Sequence, residues 1–261
     1  MSILLHFIIA YSMFFSSFSG NINDLHGVQD TSFAFKYAIL GGYTAFNIPF
    51  ARFSLTHKDY VFHAFMLTSG KMSKTDAEGN TVGNFYYNGI VLSAGKTIHK
   101  DLKNTLYLDV GLYLETADRW YNTGIGLNVK YRRWLYDAFY GEVGVKNLGL
   151  SLNPRDLIDF DAIFSLAYQK YGINPFLTLS ISPDRGVFYH TGLSVPLHRV
   201  FSLNVYYTNA YKEFKFGSGS DLLNGLSIGT DIRLTFMHVK YVADFQGEGG
   251  IAHSIELYFL K

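Results

Sequence analysis

The chain has 261 residues, a net charge of +1, only 16% charged residues and no cysteine. Near-neutrality removes the electrostatic case for nucleic acid or an acidic substrate, and the absence of Cys excludes disulfides, thiolate metal sites and a Cys nucleophile. Aromatics reach 17%, with 20 Tyr and 23 Phe, whereas soluble domains typically carry about 25% charged residues.

In chain order, MSILLHFIIAYSMFFSSFSG comes first, with an apolar core, Ile3–Phe15, of signal h-region length. Ser17 and Ser19 supply small residues where a signal peptidase needs them, so residues 1–19 are expected to be an export signal and Gly20 to open the mature chain. The signal is imperfect, because no Lys or Arg precedes the core and His6 interrupts it. No run of 18 apolar residues occurs, which argues against a membrane helix.

After the polar linker Asn21–Asp30, strand-like segments follow one another to the end. They read as 31–40, 43–56, 60–72, 84–98, 105–116, 120–132, 135–147, 160–169, 173–181, 187–195, 200–209, 224–234, 236–245 and 251–260, about fourteen in all (about 12–14) with boundaries good to a few residues. Leu148–Asp159 has room for a helical turn and no more. Nothing divides residues 20–261, which are expected to be one domain.

The stretch Leu106–Gly149 shows the pattern best. Leu106, Leu108, Val110, Leu112 and Leu114 alternate with Tyr107, Asp109, Gly111, Tyr113 and Glu115; Ile125, Leu127 and Val129 alternate with Gly126, Asn128 and Lys130. A period of two places one set on each face of a pleated strand. Segments of about ten residues or more are long enough to cross a bilayer when tilted. The reading is an all-β transmembrane barrel, antiparallel and up-and-down, rather than a soluble sandwich that buries its apolar faces. A closed sheet of about fourteen strands is too wide for side chains to fill, so polar residues belong in a hydrated lumen and Leu, Val and Ile against lipid. Tyr121, Tyr131, Trp134 and Tyr136 fit interfacial girdles.

Loop lengths offer a second test. With the last strand ending at the periplasm, the long connections 73–83, 148–159 and 210–223 all fall outside, with 117–119, 182–186 and 246–250. Thr235 and 57–59, 99–104, 133–134, 170–172 and 196–199 fall on the periplasmic side.

The expected lumen-facing set includes Asp109, Glu115, Lys130, Arg132, Glu142, Lys146, Asp231, Arg233, His238 and Lys240, with Tyr107, Tyr113, Asn128, Tyr140 and Asp244. A hairpin turning at Thr235 places Asp231 opposite Lys240 and Arg233 opposite His238. A structural ladder that spaces the wall and hydrates the lumen accounts for any one of these better than a ligand site does. No enzyme, metal or cofactor is indicated. His238 and Asp244 lie about 20 Å apart along one strand, and His57 and His63 lack a third zinc ligand of sensible spacing. Gly217-Ser218-Gly219-Ser220-Asp221 has no strand-to-helix context, and Asp76, Glu78 and Asn80 lack the EF-hand pattern.

Two segments carry a family resemblance: Val145-Lys146-Asn147-Leu148-Gly149, read as a strand end leading into a long external loop, and the closing region from Gly225. The latter holds Gly225–Gly229, Tyr241–Ala243, Gly247–Gly250, His253-Ser254 and Ile255–Phe259, and Lys74–Asn80 matches a first large external turn. In order and spacing, over about residues 31 to 261, the chain resembles the PorV/PorQ family of outer-membrane β-barrels, similar in fold to FadL-type barrels. It departs by lacking the family's N-terminal Gly/Ala-rich stretch and Asn-Pro-Ala-like element, which puts an N-terminal plug in doubt. The resemblance implies an outer-membrane location in a Gram-negative-type envelope and contact with its lipid. It also implies either transport or binding of small apolar or amphipathic solutes, or a non-transporting role as envelope scaffold or accessory of a type IX-like secretion system.

Overall fold

Alternating side chains make a strand, but a strand in lipid also needs a hydrogen-bonding neighbour on each edge, and the pairing of this chain supplies one throughout. The computed structural model describes residues 35–43, 49–75, 80–117, 120–136, 138–152, 155–157, 160–170, 173–183, 186–209, 222–246 and 250–260. The export signal and linker expected before residue 31 lie outside these, as do Asp76, Glu78 and Gly217–Asp221.

The strands are β1 Phe35–Tyr43, β2 Pro49–His57, β3 Tyr60–Thr68, β4 Met72–Thr75, β5 Thr81–Phe85, β6 Tyr87–Lys100, β7 Asn104–Ala117, β8 Trp120–Tyr136, β9 Phe139–Leu152, β10 Arg155–Leu157, β11 Asp161–Tyr168, β12 Asn174–Ser182, β13 Gly186–His198, β14 Phe201–Thr208, β15 Leu226–Arg233, β16 Met237–Phe245 and β17 Ile251–Leu260. Setting aside the short β4, β5 and β10, fourteen strands follow one another as antiparallel neighbours. The ring closes because β17 returns to β1, with Tyr37 opposite Phe259 and Gly41 opposite Ile255. No ring strand keeps an open edge, which is how a barrel satisfies its backbone in a medium without water.

The two faces are inverted relative to a soluble protein. Phe53, Leu92, Leu112, Val143, Leu150, Phe164 and Ile255 are exposed, whereas Asp109, Glu115, Lys130, Lys146, Asp161, Asp244 and Glu256 are buried. Burying charge while exposing Leu is costly in water and favourable where the outer surface meets hydrocarbon. The ends differ as well. One is closed by the short turns 58–59, 101–103, 137–138, 169–173, 199–200 and 234–236. The other carries 69–86, which contains the β4–β5 hairpin, then 153–160 with β10, then 209–225, together with the shorter 44–48, 118–119, 183–185 and 246–250.

Several expectations need correction. The segment expected as 60–72 ends at Thr68, and the connection expected at 73–83 contains a two-stranded hairpin, β4 with β5. Val145–Gly149 is not a strand end: β9 continues to Leu152. Asn147, at φ 59°, is a bulge residue that shifts the register with β8 between Leu127 and Val129, so the alternation changes phase mid-strand. Beyond it the chain forms the short β10 on β9, not a helical turn. The first two strands are described over 35–43 and 49–57, and Tyr43 belongs to the first rather than opening the second; residues 31–34 and 44–48 lie outside the described residues.

Candidate functional site: the barrel interior

Cross-strand register decides which interior side chains meet. On β7 and β8, Tyr107 is opposite Lys130, Asp109 opposite Asn128 and Glu115 opposite Asn122. Asn128 holds this wall together: its Nδ2 donates to Asp109 Oδ1 at 2.7 Å, and its Oδ1 accepts the bulged Asn147 N–H at 2.8 Å. Asn122 donates to Glu115 at 3.4 Å, and Tyr87 donates to the other oxygen at 3.3 Å. Toward the short-turn end, Arg132 and Glu142 are opposite partners. Arg132 Nη2 and Nε reach Glu142 Oε2 at 2.9 and 3.2 Å, and the guanidinium lies 4.8 Å from the Tyr140 ring centroid. Lys146 faces Asp161 across β9 and β11.

A second charged wall lies on β15–β17. Asp231 is opposite Lys240 and Arg233 opposite His238. The row then continues from Lys240 to Glu256, and through Leu40 to Arg52. Charge therefore alternates along a line crossing five strands, the arrangement that cross-strand pairing favours. Arg233 Nε donates to Asp231 Oδ2 at 3.0 Å, and Lys240 Nζ sits 5.5 Å from the Tyr206 ring centroid. Tyr258 donates to Glu256. On β2 and β3, Arg52 donates to Ser54 Oγ and to His63 Nδ1, each at 3.1 Å.

Between the charged walls lie two others. Strands β12, β13 and β14 contain no Asp, Glu, Lys or Arg, and their inner face carries Phe176, Phe188, His190 and Tyr206. Phe176, His190 and Tyr206 contact one another, with centroids 5.1 to 5.9 Å apart. Tyr206 lies flat over Gly192, directly opposite; a Cβ there would meet its ring at 2.2 Å. Half-way round the ring, β2, β3 and β6 bury Phe50, Val61, Phe65, Leu67 and Tyr87, and Phe50 stacks with Phe65 at 6.3 Å. Around the circumference the interior thus reads mixed on β2, β3 and β6, where Arg52 sits directly opposite Phe65, then charged, uncharged aromatic and charged.

Of the residues expected to face the lumen, Asp109, Glu115, Lys130, Arg132, Glu142 and Lys146 fall on the first charged wall, and Asp231, Arg233, His238 and Lys240 on the second. Arg233 lies at the short-turn rim, where its side chain is 43% exposed. Sequence reasoning missed Arg52, His63, Asp161, His190 and Glu256. A signal existed, since Arg52 and Glu256 each alternate with flanking apolar residues, Phe53 and Leu55 or Ile255 and Leu257. Among the described residues no group of three or more His, Asp or Glu is placed to hold a metal ion.

No protein-family profile matches the chain, and no curated protein matches it in sequence. Solved structures do match in fold. A Pseudomonas aeruginosa FadL homologue aligns with a TM-score of 0.51 at 8% identity, over 86% of this chain and 88% of its own. The Pseudomonas putida toluene transporter TodX gives 0.50 at 10% identity, over 86% and 87%. The Acinetobacter baumannii outer membrane protein Omp33 gives 0.51 at 9%, over 88% and 98%. At such identities the likeness is one of fold: the chain has the architecture of an outer-membrane β-barrel.

Proposed function

We propose that this protein resides in an outer membrane and binds or passes small amphipathic solutes through its interior. The carrying observation is the division of the inner wall. A face carrying Phe50 and Phe65, with Arg52 and His63 among them, opposes an uncharged Phe176–Tyr206 face across the ring, and charged walls lie between the two. A uniformly hydrated pore has no need of buried aromatics, and a purely apolar conduit has no need of Asp109, Lys130 or Glu256. A solute with an apolar body and a polar end matches both. The lumen-facing charges then serve as the hydrated, register-fixing walls. FadL-type and toluene-transporting barrels share the fold, which supports transport as the class of function.

The test is flux from liposomes holding the purified barrel, with two tracers of equal size, one an aromatic carboxylate and one a fully polar sugar. Faster release of the aromatic tracer, reduced by Phe65→Asp, is expected; no release of either tracer overturns the reading. The alternative, a PorV/PorQ-type accessory of a protein-secretion system, is supported by the motif resemblance. Apolar residues exposed at the long-loop end, Val82 at 57% and Leu222 at 89%, also support it. Cross-linking in intact envelopes that captures secretion components, together with absent flux, favours that second reading.

A further inference from the structure

We infer that the short-turn end, on the β2–β8 side, is a binding surface for anionic phospholipid headgroups. The inference rests on the membrane-barrel reading above and is independent of what the interior carries. Lys58 lies in the β2–β3 turn, Lys96 and Lys100 on the last residues of β6, Lys103 in the β6–β7 turn and Arg133 near the end of β8. These elements are neighbours in the ring, and all five residues are exposed. Their placement relative to the wall matters. Lys96 and Arg133 are on the outer face, since Gly95 and Thr97, like Lys130 and Arg132, alternate with them toward the interior. Lys96 Nζ stands 5.0 Å from the ring centroid of Tyr60, its cross-strand partner, which is itself exposed on the outside.

Among the described residues of this end, two exposed ones are acidic, Asp59 and Asp101. Asp101 is engaged by its own turn, accepting the Lys103 and Asn104 backbone N–H groups at 2.7 and 2.6 Å and the Asn104 side chain at 2.8 Å. Apolar residues interleave with the cations: Ile98 at 54%, Leu135 at 57%, Tyr136 at 80% and Leu102 at 97% exposure. A soluble acidic protein would complement the charge but leave these side chains in water. A leaflet takes both, since aromatic and aliphatic groups seat at the acyl boundary while Lys and Arg stems carry their charge up to the phosphate plane. A group of cations on neighbouring strands and turns at the membrane surface favours anionic over zwitterionic lipid.

The experiment uses the full chain, purified in detergent and equilibrated with equal amounts of phosphatidylglycerol and phosphatidylethanolamine, with bound lipid counted by native mass spectrometry. Phosphatidylglycerol is expected to be retained severalfold over phosphatidylethanolamine. The variant Lys96→Gln/Lys100→Gln/Lys103→Gln/Arg133→Gln is expected to abolish that preference while keeping its heat-dependent gel shift. A triple variant at the long-loop end, Lys71→Gln/Lys74→Gln/Arg155→Gln, should retain the preference. Inorganic phosphate is added as a competitor: displacement at millimolar phosphate marks a site for free phosphate and overturns the lipid assignment. Equal retention of both lipids, or an undiminished preference in the quadruple variant, overturns it too. Loss of the gel shift by the unmodified protein would instead strike the barrel reading itself.

Discussion

A charge placed on the outer face at mid-height separates a lipid-facing wall from a water-facing one. Leu112 is 57% exposed on β7, with Leu92 and Ile125 as its outward cross-strand partners. It lies eight residues after Asn104, the first residue of β7. At about 3.4 Å rise per residue and a tilt of about 45°, it stands about 19 Å above the short-turn end. The whole strand climbs about 31 Å on the same arithmetic, so Leu112 falls close to the centre of an apolar band about 25 Å tall. Leu112→Arg should therefore cost about 2–4 kcal/mol of folding stability in a bilayer, a factor of roughly 30 to 1000 in the equilibrium constant. Were this surface in water, replacing a half-exposed Leu by Arg would change stability by no more than about 0.5 kcal/mol. Leu102→Arg is the control: the residue is 97% exposed at a turn tip, where about 0–1 kcal/mol is expected. The assay is a guanidinium titration in phospholipid vesicles, followed by the fluorescence of Trp120 and Trp134 and by gel mobility. Equal midpoints for Leu112→Arg and Leu102→Arg would falsify the lipid-facing assignment.

Three further outcomes follow from the geometry. Gly126 and Gly149 are directly opposite, yet a Cβ on Gly149 would sit 2.0 Å from the Ile125 carbonyl oxygen while one on Gly126 meets nothing closer than 3.9 Å. Gly149→Ala should thus cost about 3 kcal/mol or more and Gly126→Ala under about 1 kcal/mol, measured by the same titration. The Arg132–Glu142 pair, 14% and 11% exposed, should show a double-mutant coupling of about 1–3 kcal/mol; zero coupling would mean that lumen water screens it fully. Asp101, in the turn after β6, is held well below the ordinary carboxylate range by the Asn104 side chain and then by the Lys103 and Asn104 backbone N–H groups. Because the folded value is depressed, its contribution is complete above the unfolded value of about 3.9 and fades as pH falls below it. The stability difference between the unmodified protein and Asp101→Ala should be flat from about pH 5 to 7 and shrink below about pH 4; a difference that grows on acidification would contradict the assignment.

The sequence determined the element type, the two faces and the loop asymmetry, because each is local. The runs Leu106–Leu114 and Ile125–Val129 assign their residues to outer and inner walls by parity alone. The register of β15 with β16 was legible for the same reason: a tight turn around Thr235 leaves little choice, and Asp231 meets Lys240 as counting from it requires. Parity fails where the chain slips by one residue. The bulge at Asn147 moves the inner set on β9 from Glu142 and Lys146 to Gly149 and Ser151, and in one dimension a change of phase looks like the end of a strand.

What only the tertiary structure decided is non-local. Closure of β17 on β1 brings Glu256 and Arg52 to either side of Leu40, although more than two hundred residues separate them along the chain. The order of strands around the ring sets Phe65 and Tyr206 on opposing walls. No periodicity encodes such meetings, since they depend on accumulated register, on bulges and on the number of strands needed to close the circle. The sequence specified how each strand faces; the ring determined what each face looks at.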